Sequence, residues 1–193
     1  RMDGTSAATW IFAFIIYDFF YYWFHRISHE RQIFWASHAA HHQSEDYNLS
    51  TALRQTGTGA FVSWVFYIPM FIIGIPSYVF ISVASLNLIY QFWVHSEHIP
   101  KLGWYENYFV TASNHRVHHA QNEQYIDKNY GGVFIIWDRM FGTHKVEDEN
   151  EACIYGIRST LNTFNPVWAN LHVYVKIIKE MWLSKNWKEK FYA

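Results

Sequence analysis

A long uncharged stretch constrains the fold of this chain more than any other feature of its sequence. Residues 55–96 contain no Asp, Glu, Lys or Arg, and at about 1.5 Å per helical residue such a stretch is long enough to cross a bilayer of about 30 Å twice. Pro69 and Pro76 interrupt it near its centre and predict a turn. We therefore predict a helical hairpin with arms near residues 59–73 and 78–94, either as two crossings or as a shorter re-entrant pair.

A further apolar run, residues 5–24, contains one charge, Asp18. The alternative to membrane insertion is the core of a soluble helical bundle, but three such segments are more than a 193-residue chain buries in a small core. If the first segment crosses once and the hairpin returns to the side it left, 14 of the 15 Lys and Arg lie on one face and only Arg1 is opposite. The positive-inside rule makes that face cytoplasmic. The predicted fold is all-α: an integral membrane helical bundle with a cytoplasmic, His-rich cap that holds a di-metal site.

The composition limits the partners and ligands of the chain. Charged residues make up only 16%, and the mean hydropathy of -0.12 looks soluble because Trp, Tyr and His score low on that scale. A net charge of -1 gives no basic surface for nucleic acid. The single Cys153 excludes an iron-sulfur cluster and a Cys-rich zinc site. Any bound metal must therefore be held by His, Asp or Glu.

The chain has twelve histidines, and ten of them fall into four groups with regular spacing. The groups are His25 and His29; His38, His41 and His42; His95 and His98; and His115, His118 and His119. Residues at i, i+3 and i+4 share one face of a helix, so each group can direct several imidazoles to one point. Under the predicted topology all four groups emerge on the same side of the membrane. They supply enough nitrogen ligands for two metal ions.

The ligand type alone leaves iron, copper and zinc open. Structural zinc needs only four ligands and usually recruits Cys, and a bis-His haem leaves most of these histidines without a role. Soluble di-iron bundles use Glu with repeated E-x-x-H pairs, which are absent from this sequence. A membrane metal transporter is the alternative from another class, but transporters place ligands near the bilayer midplane at broken helices. An all-His di-metal centre at a membrane surface fits the spacing better.

Acidic residues beside the histidines are candidates to support the site. Asp18, Tyr22, His25 and His29 lie on one stripe of a helix, which predicts that Asp18 accepts the second N–H of His25 or of another ligand. The alternative is a hydrogen bond from Ser or Tyr across a helix interface. Glu30 follows the first group and is the other candidate catalytic residue, with a solvated loop charge as its alternative. Among the remaining histidines, the isolated His144 and His172 are not predicted to be ligands.

The order H-x-x-x-H, H-x-x-H-H, H-x-x-H-H, with an apolar hairpin between the second and third boxes, resembles the fatty acid hydroxylase or sterol desaturase superfamily. These are integral membrane enzymes with a His-coordinated di-iron centre. The similarity covers residues 17–143, and residues 33–55 and 114–143 are most similar to the alkylglycerol monooxygenase branch. That branch uses tetrahydrobiopterin and oxygen to hydroxylate the ether-linked carbon of alkylglycerols, and the product collapses to an aldehyde and glycerol.

Position by position, the resemblance implies that nine histidines bind two iron ions and that Glu30 is the acidic residue after the first box. The nine are His25, His29, His38, His41, His42, His95, His115, His118 and His119. It also implies a lipid substrate, O2, and an electron donor, either a pterin or a redox protein. The alternative within the superfamily is desaturation or hydroxylation of a sterol or fatty acyl chain. His98 stays outside the implied ligand set.

We predict one membrane-embedded catalytic domain over residues 1–193, in the endoplasmic reticulum of a eukaryote or the inner membrane of a bacterium. Residues 59–94 enter the membrane as the hairpin, whereas residues 25–55 and 95–164 form the cap. Residues 165–193 are predicted to form an amphipathic tail helix, lying on the cytoplasmic leaflet or packed on the domain itself. Its basic residues are Lys176, Lys179, Lys185, Lys188 and Lys190.

Overall fold

The structure, a computed structural model, describes residues 1–184 and 186, and the regular secondary structure of these residues is helical, with loops between the helices. The helices are α1 (Ala7–Glu30), α2 (Gln32–Trp35), α3 (Ala39–His42), α4 (Leu49–Leu53), α5 (Gly59–Ile72), α6 (Ser77–Trp93), α7 (Ala112–His119), α8 (Ile136–Phe141) and α9 (Pro166–Leu183). A 3-10 helix, Gly103–Asn107, lies between α6 and α7. Two isolated bridges are the only β pairing among these residues. The prediction of an all-α fold is confirmed.

α5 and α6 are the arms of the predicted hairpin, and α1 packs along both of them. The turn between the arms contains Gly74, whose φ of 91° is a left-handed conformation that favours glycine. The core between the three helices is apolar, and Tyr17 of α1 stacks on Tyr67 of α5 with ring centroids 4.8 Å apart. Its fully buried members include Ala13, Met70 and Val79. The helical arms therefore lie where the sequence predicts them.

The beginning of α1 lies beside the turn of the hairpin. The backbone N–H of Met2 donates to the carbonyl of Gly74 (2.8 Å), and the rings of Trp10 and Tyr78 are in contact. Consequently the end of α1, the beginning of α5 and the end of α6 all lie at the opposite end of the bundle. This is the end that carries the histidines.

The lengths of these helices bear on how the chain meets a membrane. Among the described residues, α1 is the one helix long and apolar enough to cross a bilayer. α5 has 14 residues and α6 has 17. They extend about 21 and 25 Å, less than the hydrocarbon core of about 30 Å. These lengths favour the re-entrant alternative for the hairpin. The outward faces of all three helices are apolar, with Ile11, Phe61 and Ile89 more than half exposed.

α9 packs on the domain through one face. Asn165 caps its first turn, and Val173 and Ile177 are buried against Ala36, which follows α2, and Ala39, the first residue of α3. The tail helix was predicted either to lie on the cytoplasmic leaflet or to pack on the domain, and the face with Val173 and Ile177 packs on the domain. The opposite face remains exposed and apolar, with Trp182 the most exposed large side chain of the helix. The predicted basic residues Lys185, Lys188 and Lys190 lie outside the described residues.

Candidate metal centre

Nine histidines lie in two compact groups at the end of the bundle opposite the hairpin turn. Within each group, one nitrogen from every ring lies within 4.8 Å of the corresponding nitrogens of the others. The first group is His25, His29, His38, His42 and His118; the second is His41, His95, His115 and His119. These are the nine positions that the resemblance singles out. His98, His144 and His172 belong to neither group.

Two helices supply histidines to both groups, which fixes the groups side by side. α3 directs His42 into the first group and its neighbour His41 into the second. α7 directs His118 into the first group and places His115 and His119, one helical turn apart, in the second. His25 and His29 at the end of α1 and His38, just before α3, complete the first group, and His95, shortly after α6, completes the second. The four sequence groups therefore do not each form a site of their own.

Backbone carbonyls set the orientation of several rings. A carbonyl can only accept, so each Nδ1 that contacts one must carry the proton, and Nε2 of that ring keeps its lone pair. Four rings are held in this way. The contacts are His25 to Tyr130 O (2.8 Å), His41 to Arg54 O (3.2 Å), His95 to Gln91 O (2.8 Å) and His118 to Lys128 O (3.0 Å).

The nitrogens that face one another fit a bound cation. Nε2 of His41 and Nε2 of His95 are 3.3 Å apart, and both carry lone pairs because both Nδ1 atoms are protonated. Nε2 atoms of His29 and His118 are buried without a hydrogen-bond partner. Two unprotonated nitrogens in contact repel each other, and a metal ion between them converts this repulsion into coordination. The donor set therefore suits iron, copper or zinc.

Burial keeps these imidazoles neutral, which is the form that binds metal. Desolvation, together with the charge of His95 when that ring is protonated, lowers the pKa of His41 to about 3. Desolvation likewise lowers the pKa of His95 to about 4, although its bond to the Gln91 carbonyl opposes the shift. Near neutral pH both rings thus present a free lone pair.

A cavity of about 380 Å³ borders both groups. His29, His42 and His118 of the first group and His119 of the second form one of its walls. The remaining wall includes Trp35, Asp127 and Arg158, together with His172, Val173 and Lys176 of α9. A molecule in this cavity would reach histidines of both groups at once.

Asp18 is placed differently from the prediction. Its carboxylate accepts hydrogen bonds from four N–H groups, and none of them belongs to a histidine. The donors are Asn87 Nδ2 (2.6 Å), Val133 N (2.8 Å), Trp137 Nε1 (2.9 Å) and Phe134 N (3.0 Å). The predicted bond from His25 is therefore wrong, because His25 donates to Tyr130 O instead. Asp18 holds the loop that presents this carbonyl, so it acts on His25 through the backbone.

Glu30 lies at the surface beside the first group. Its carboxylate pairs with Arg26 one turn earlier on α1 (2.7 Å), and its side chain is 37% exposed. This environment corresponds to the solvated alternative that the sequence left open. A catalytic role for Glu30 stays a prediction.

Sequence reasoning missed two residues that support the site. Asp138, fully buried, accepts bonds from the N–H groups of Tyr130 and Gly131 and from the hydroxyl of Thr143. Desolvation raises its pKa to about 6. Arg116 lies between two metal-group histidines on α7 and is itself buried. The sequence carries one signal for each of them. Arg116 is a charged residue inside a histidine box, and Asp138 follows Trp137 shortly after a Gly-Gly pair.

A sequence model of the fatty acid hydroxylase family matches residues 10–143, a range that contains all nine histidines of the two groups. The chain belongs to the fatty acid hydroxylase family. The resemblance drawn from the histidine boxes is thereby confirmed. No solved structure matches this family member.

Among relatives of this fatty acid hydroxylase family member is alkylglycerol monooxygenase of Homo sapiens, 49% identical over 191 residues, which cover 99% of the chain and 42% of that protein. Alkylglycerol monooxygenase of Danio rerio is 50% identical over 169 residues, covering 88% of the chain and 37% of that protein. The ornithine lipid hydroxylase OlsE of Rhizobium tropici is 28% identical over 138 residues, covering 69% of the chain and 40% of that protein. The chain thus spans less than half the length of these relatives.

Proposed function

We propose that this chain is the catalytic part of a membrane-bound di-iron monooxygenase that hydroxylates the ether-linked carbon of alkylglycerols. The observation that carries the proposal is the pair of histidine groups, with five and four nitrogens, bordering one cavity. The choice of substrate is supported by the relatives named alkylglycerol monooxygenase, which are 42% to 50% identical to the chain.

The five- and four-histidine groups would each hold one iron ion. When bound, the two ions would supply the activation of O2 that insertion into an unactivated C–H bond requires. The protein contributes rigid ligation: the carbonyls that hold His25, His41, His95 and His118 fix the rings before a metal binds. His115 and His119, one turn apart on α7, receive their spacing from the helix.

The cavity would position the lipid and exclude bulk water from the reacting carbon. Trp35, Ile126 and Val173 offer apolar contacts, and Gln32 and Gln121 offer hydrogen bonds to hydroxyl groups of the substrate. In the overall reaction one oxygen atom of O2 enters the C–H bond as a hydroxyl. The other leaves as water, with two electrons and two protons from the donor. Tetrahydrobiopterin is the proposed donor and would approach from the aqueous side.

The proposed setting is a membrane, with α1, α5 and α6 embedded and the histidine end facing the cytoplasm. The exposed apolar faces of these helices support this arrangement, as does the position of Arg1 near Gly74, at the end away from the other basic residues. The outer face of α9 would lie on the same leaflet, with Trp168 and Trp182 as interfacial anchors. The membrane would be the endoplasmic reticulum in a eukaryote or the inner membrane in a bacterium.

Metal analysis and product analysis test the proposal together. The purified chain should bind two iron ions and convert an alkylglycerol to an aldehyde and glycerol with reduced tetrahydrobiopterin and O2. His118→Ala and His95→Ala, one from each group, should each lower the iron content toward one ion and abolish turnover. His98→Ala is the matched control, because His98 belongs to neither group. A strict need for a protein electron donor, with a sterol or fatty acyl substrate, would favour the alternative reaction and overturn the proposed one.

A further inference from the structure

Trp35 is, apart from the imidazoles, the one aromatic side chain among the described residues that line the cavity. Its indole lies against the first histidine group, with ring centroids 5.2 Å from His29 and 5.5 Å from His42. Both of these histidines also line the cavity. The indole and the two imidazoles therefore form adjoining parts of one wall.

The place beside Trp35 and His42 is also close to the second histidine group. The ring of His42 stacks on the ring of His119, with centroids 4.2 Å apart and planes inclined by 20°. His119 belongs to the second group and borders the same cavity. A carbon atom held between Trp35 and His42 therefore lies where the two groups meet.

Packing and a backbone hydrogen bond hold the indole in position. The carbonyl of Trp35 accepts from the N–H of His38 (2.8 Å), a member of the first group. The half-buried indole also packs against the buried cluster that joins α9 to the region of α2 and α3, namely Ala36, Ala39, Val173 and Ile177. A side chain that is fixed in this way can position a bound molecule precisely.

Gln32 lies one turn before Trp35 on α2, and both side chains line the cavity. The two residues are about 4.5 Å apart along the helix axis. This is similar to the span of the four bonds that separate the nearer glycerol hydroxyl of an alkylglycerol from its ether-linked carbon. Nε2 of Gln32 donates to the carboxylate of Glu180 on α9 (3.2 Å), and Oε1 of Gln32 can accept from a glycerol hydroxyl. A glycerol end bound to Gln32 would thus place the ether-linked carbon beside the indole.

We propose that Trp35 is the specificity-determining residue that selects which carbon is hydroxylated, an inference that rests on the proposed function. The indole holds the first carbons of the alkyl chain against His29 and His42, so that the ether-linked C–H reaches the metal centre and carbons further along the chain do not. The stoichiometry is the same at any carbon. One oxygen atom of O2 enters the C–H bond as a hydroxyl, and the other leaves as water with two electrons and two protons from the donor.

The product shows which carbon was attacked. A hydroxyl on the ether-linked carbon leads to an aldehyde and glycerol, because the hemiacetal collapses. A hydroxyl further along the chain leaves the ether bond intact and gives an alkylglycerol that is heavier by one oxygen atom. Mass spectrometry separates these products, and a residue that only stabilises the fold would not change their ratio.

The test compares Trp35→Ala and Trp35→Phe with wild type, each loaded with iron and supplied with an alkylglycerol, O2 and reduced tetrahydrobiopterin. A misplacement of about 1 Å can cost about 100-fold in rate. For Trp35→Ala we therefore expect about a 100-fold loss of aldehyde formation per bound iron, with chain-hydroxylated alkylglycerol as a new product. Trp35→Phe keeps an aromatic ring at this place and should lie between the two. Trp104→Ala is the matched control, since Trp104 is 72% exposed and lies outside the cavity.

Binding of the alkylglycerol without O2, measured by calorimetry, gives a readout that does not depend on turnover. Loss of the indole contact should weaken binding by about 10-fold or more in Trp35→Ala. Iron content is measured in every variant, because Trp35 packs on His29. If Trp35→Ala retains too little iron for the comparison, Trp35→Phe supplies it with the ring in place.

A chain-hydroxylated product together with weaker lipid binding supports the inference. An unchanged product ratio with unchanged binding overturns the inference but leaves the proposed function intact. Lower aldehyde formation with unchanged lipid binding and no new product also overturns it, because Trp35 would then only stabilise the fold. If wild type forms no aldehyde from an alkylglycerol, the proposed function fails, and the inference fails with it.

Discussion

The guanidinium of Arg116 and the carboxylate of Glu147 form two parallel hydrogen bonds of 2.7 Å each, with side chains only 9% and 16% exposed. The remaining nitrogen of Arg116 donates to the carbonyls of Ser96 (3.0 Å) and Ile99 (2.8 Å). Ser96 follows His95 directly, and Arg116 follows His115. The ion pair therefore braces two segments that each contribute a histidine to the second group.

Arg116→Met should strongly destabilise the protein, because it leaves the Glu147 carboxylate, which is only 16% exposed, without its partner. Removal of one member of a buried pair costs about 3–5 kcal/mol of the free energy of unfolding. Chemical unfolding in detergent measures this loss. The double variant Arg116→Met/Glu147→Leu should recover much of it, since it removes both charges. If the double variant is no more stable than the single one, the carbonyl contacts and not the ion pair stabilise this region.

Asp18→Asn should act on stability and on retention of metal, because Asp18 anchors the loop that orients His25. An asparagine has one acceptor oxygen where the carboxylate has two, so some of the buried N–H groups lose their hydrogen-bond acceptor. Each unsatisfied N–H lowers the free energy of unfolding by about 1–3 kcal/mol. Thermal unfolding and iron content are the measurements. Asp3→Asn is the control, since Asp3 is exposed at the opposite end of α1. A stable, iron-replete Asp18→Asn protein that lacks turnover would instead indicate a direct catalytic role.

Gly132→Ala should disturb the same anchor through steric contact. A Cβ atom at Gly132 would lie 2.8 Å from Oδ1 of Asp18, closer than such atoms approach in folded proteins, and a tight 3.0 Å from Oδ1 of Asn87. Because these groups are buried and hydrogen-bonded, we expect a loss of about 1–3 kcal/mol. Gly57→Ala, where the nearest atom is 3.7 Å away, should be tolerated. Equal unfolding midpoints for the two variants would contradict the close packing at Gly132.

The metal-free protein should lose stability in mild acid. The pKa values of His41 and His95 are lowered in the fold to about 3 and about 4, whereas an unfolded histidine titrates near 6.5. The unfolded state therefore binds more protons below pH 6.5. The resulting stability is fully present above that pH and is lost as the pH falls toward the folded pKa values. In that pH range each of these histidines changes the free energy of unfolding by about 1.4 kcal/mol per pH unit.

Urea unfolding at a series of pH values between 7 and 4 measures this slope. The variant His98→Gln should leave it unchanged, because His98 is exposed. Added iron should raise stability most at neutral pH, where protons do not compete for the ring nitrogens. A free energy of unfolding that is constant between pH 7 and pH 5 would show that the buried imidazoles are already protonated or solvated.

Local spacing in the sequence was sufficient to predict the arms of the hairpin and the four histidine groups, and the family resemblance separated His95 from His98. The uncharged residues 55–96 could only form buried or lipid-facing helices, and two prolines with Gly74 fixed the turn between them. The i, i+3 and i+4 spacing of the boxes placed several imidazoles on one helical face. Both are properties of residues close together along the chain, which is why they can be read without a structure.

The tertiary structure alone decided how these parts combine. Neighbours His41 and His42 enter different groups, and Asp18 finds backbone partners 115 and 116 positions away instead of His25 on its own helix. His172 reaches the cavity only because one face of α9 packs on α2 and α3. Helical periodicity fixes which side chains share a face, whereas contacts between distant segments depend on how whole helices pack. The sequence determined a set of histidines able to bind metal, and helix packing determined how they divide into two groups and which residues surround them.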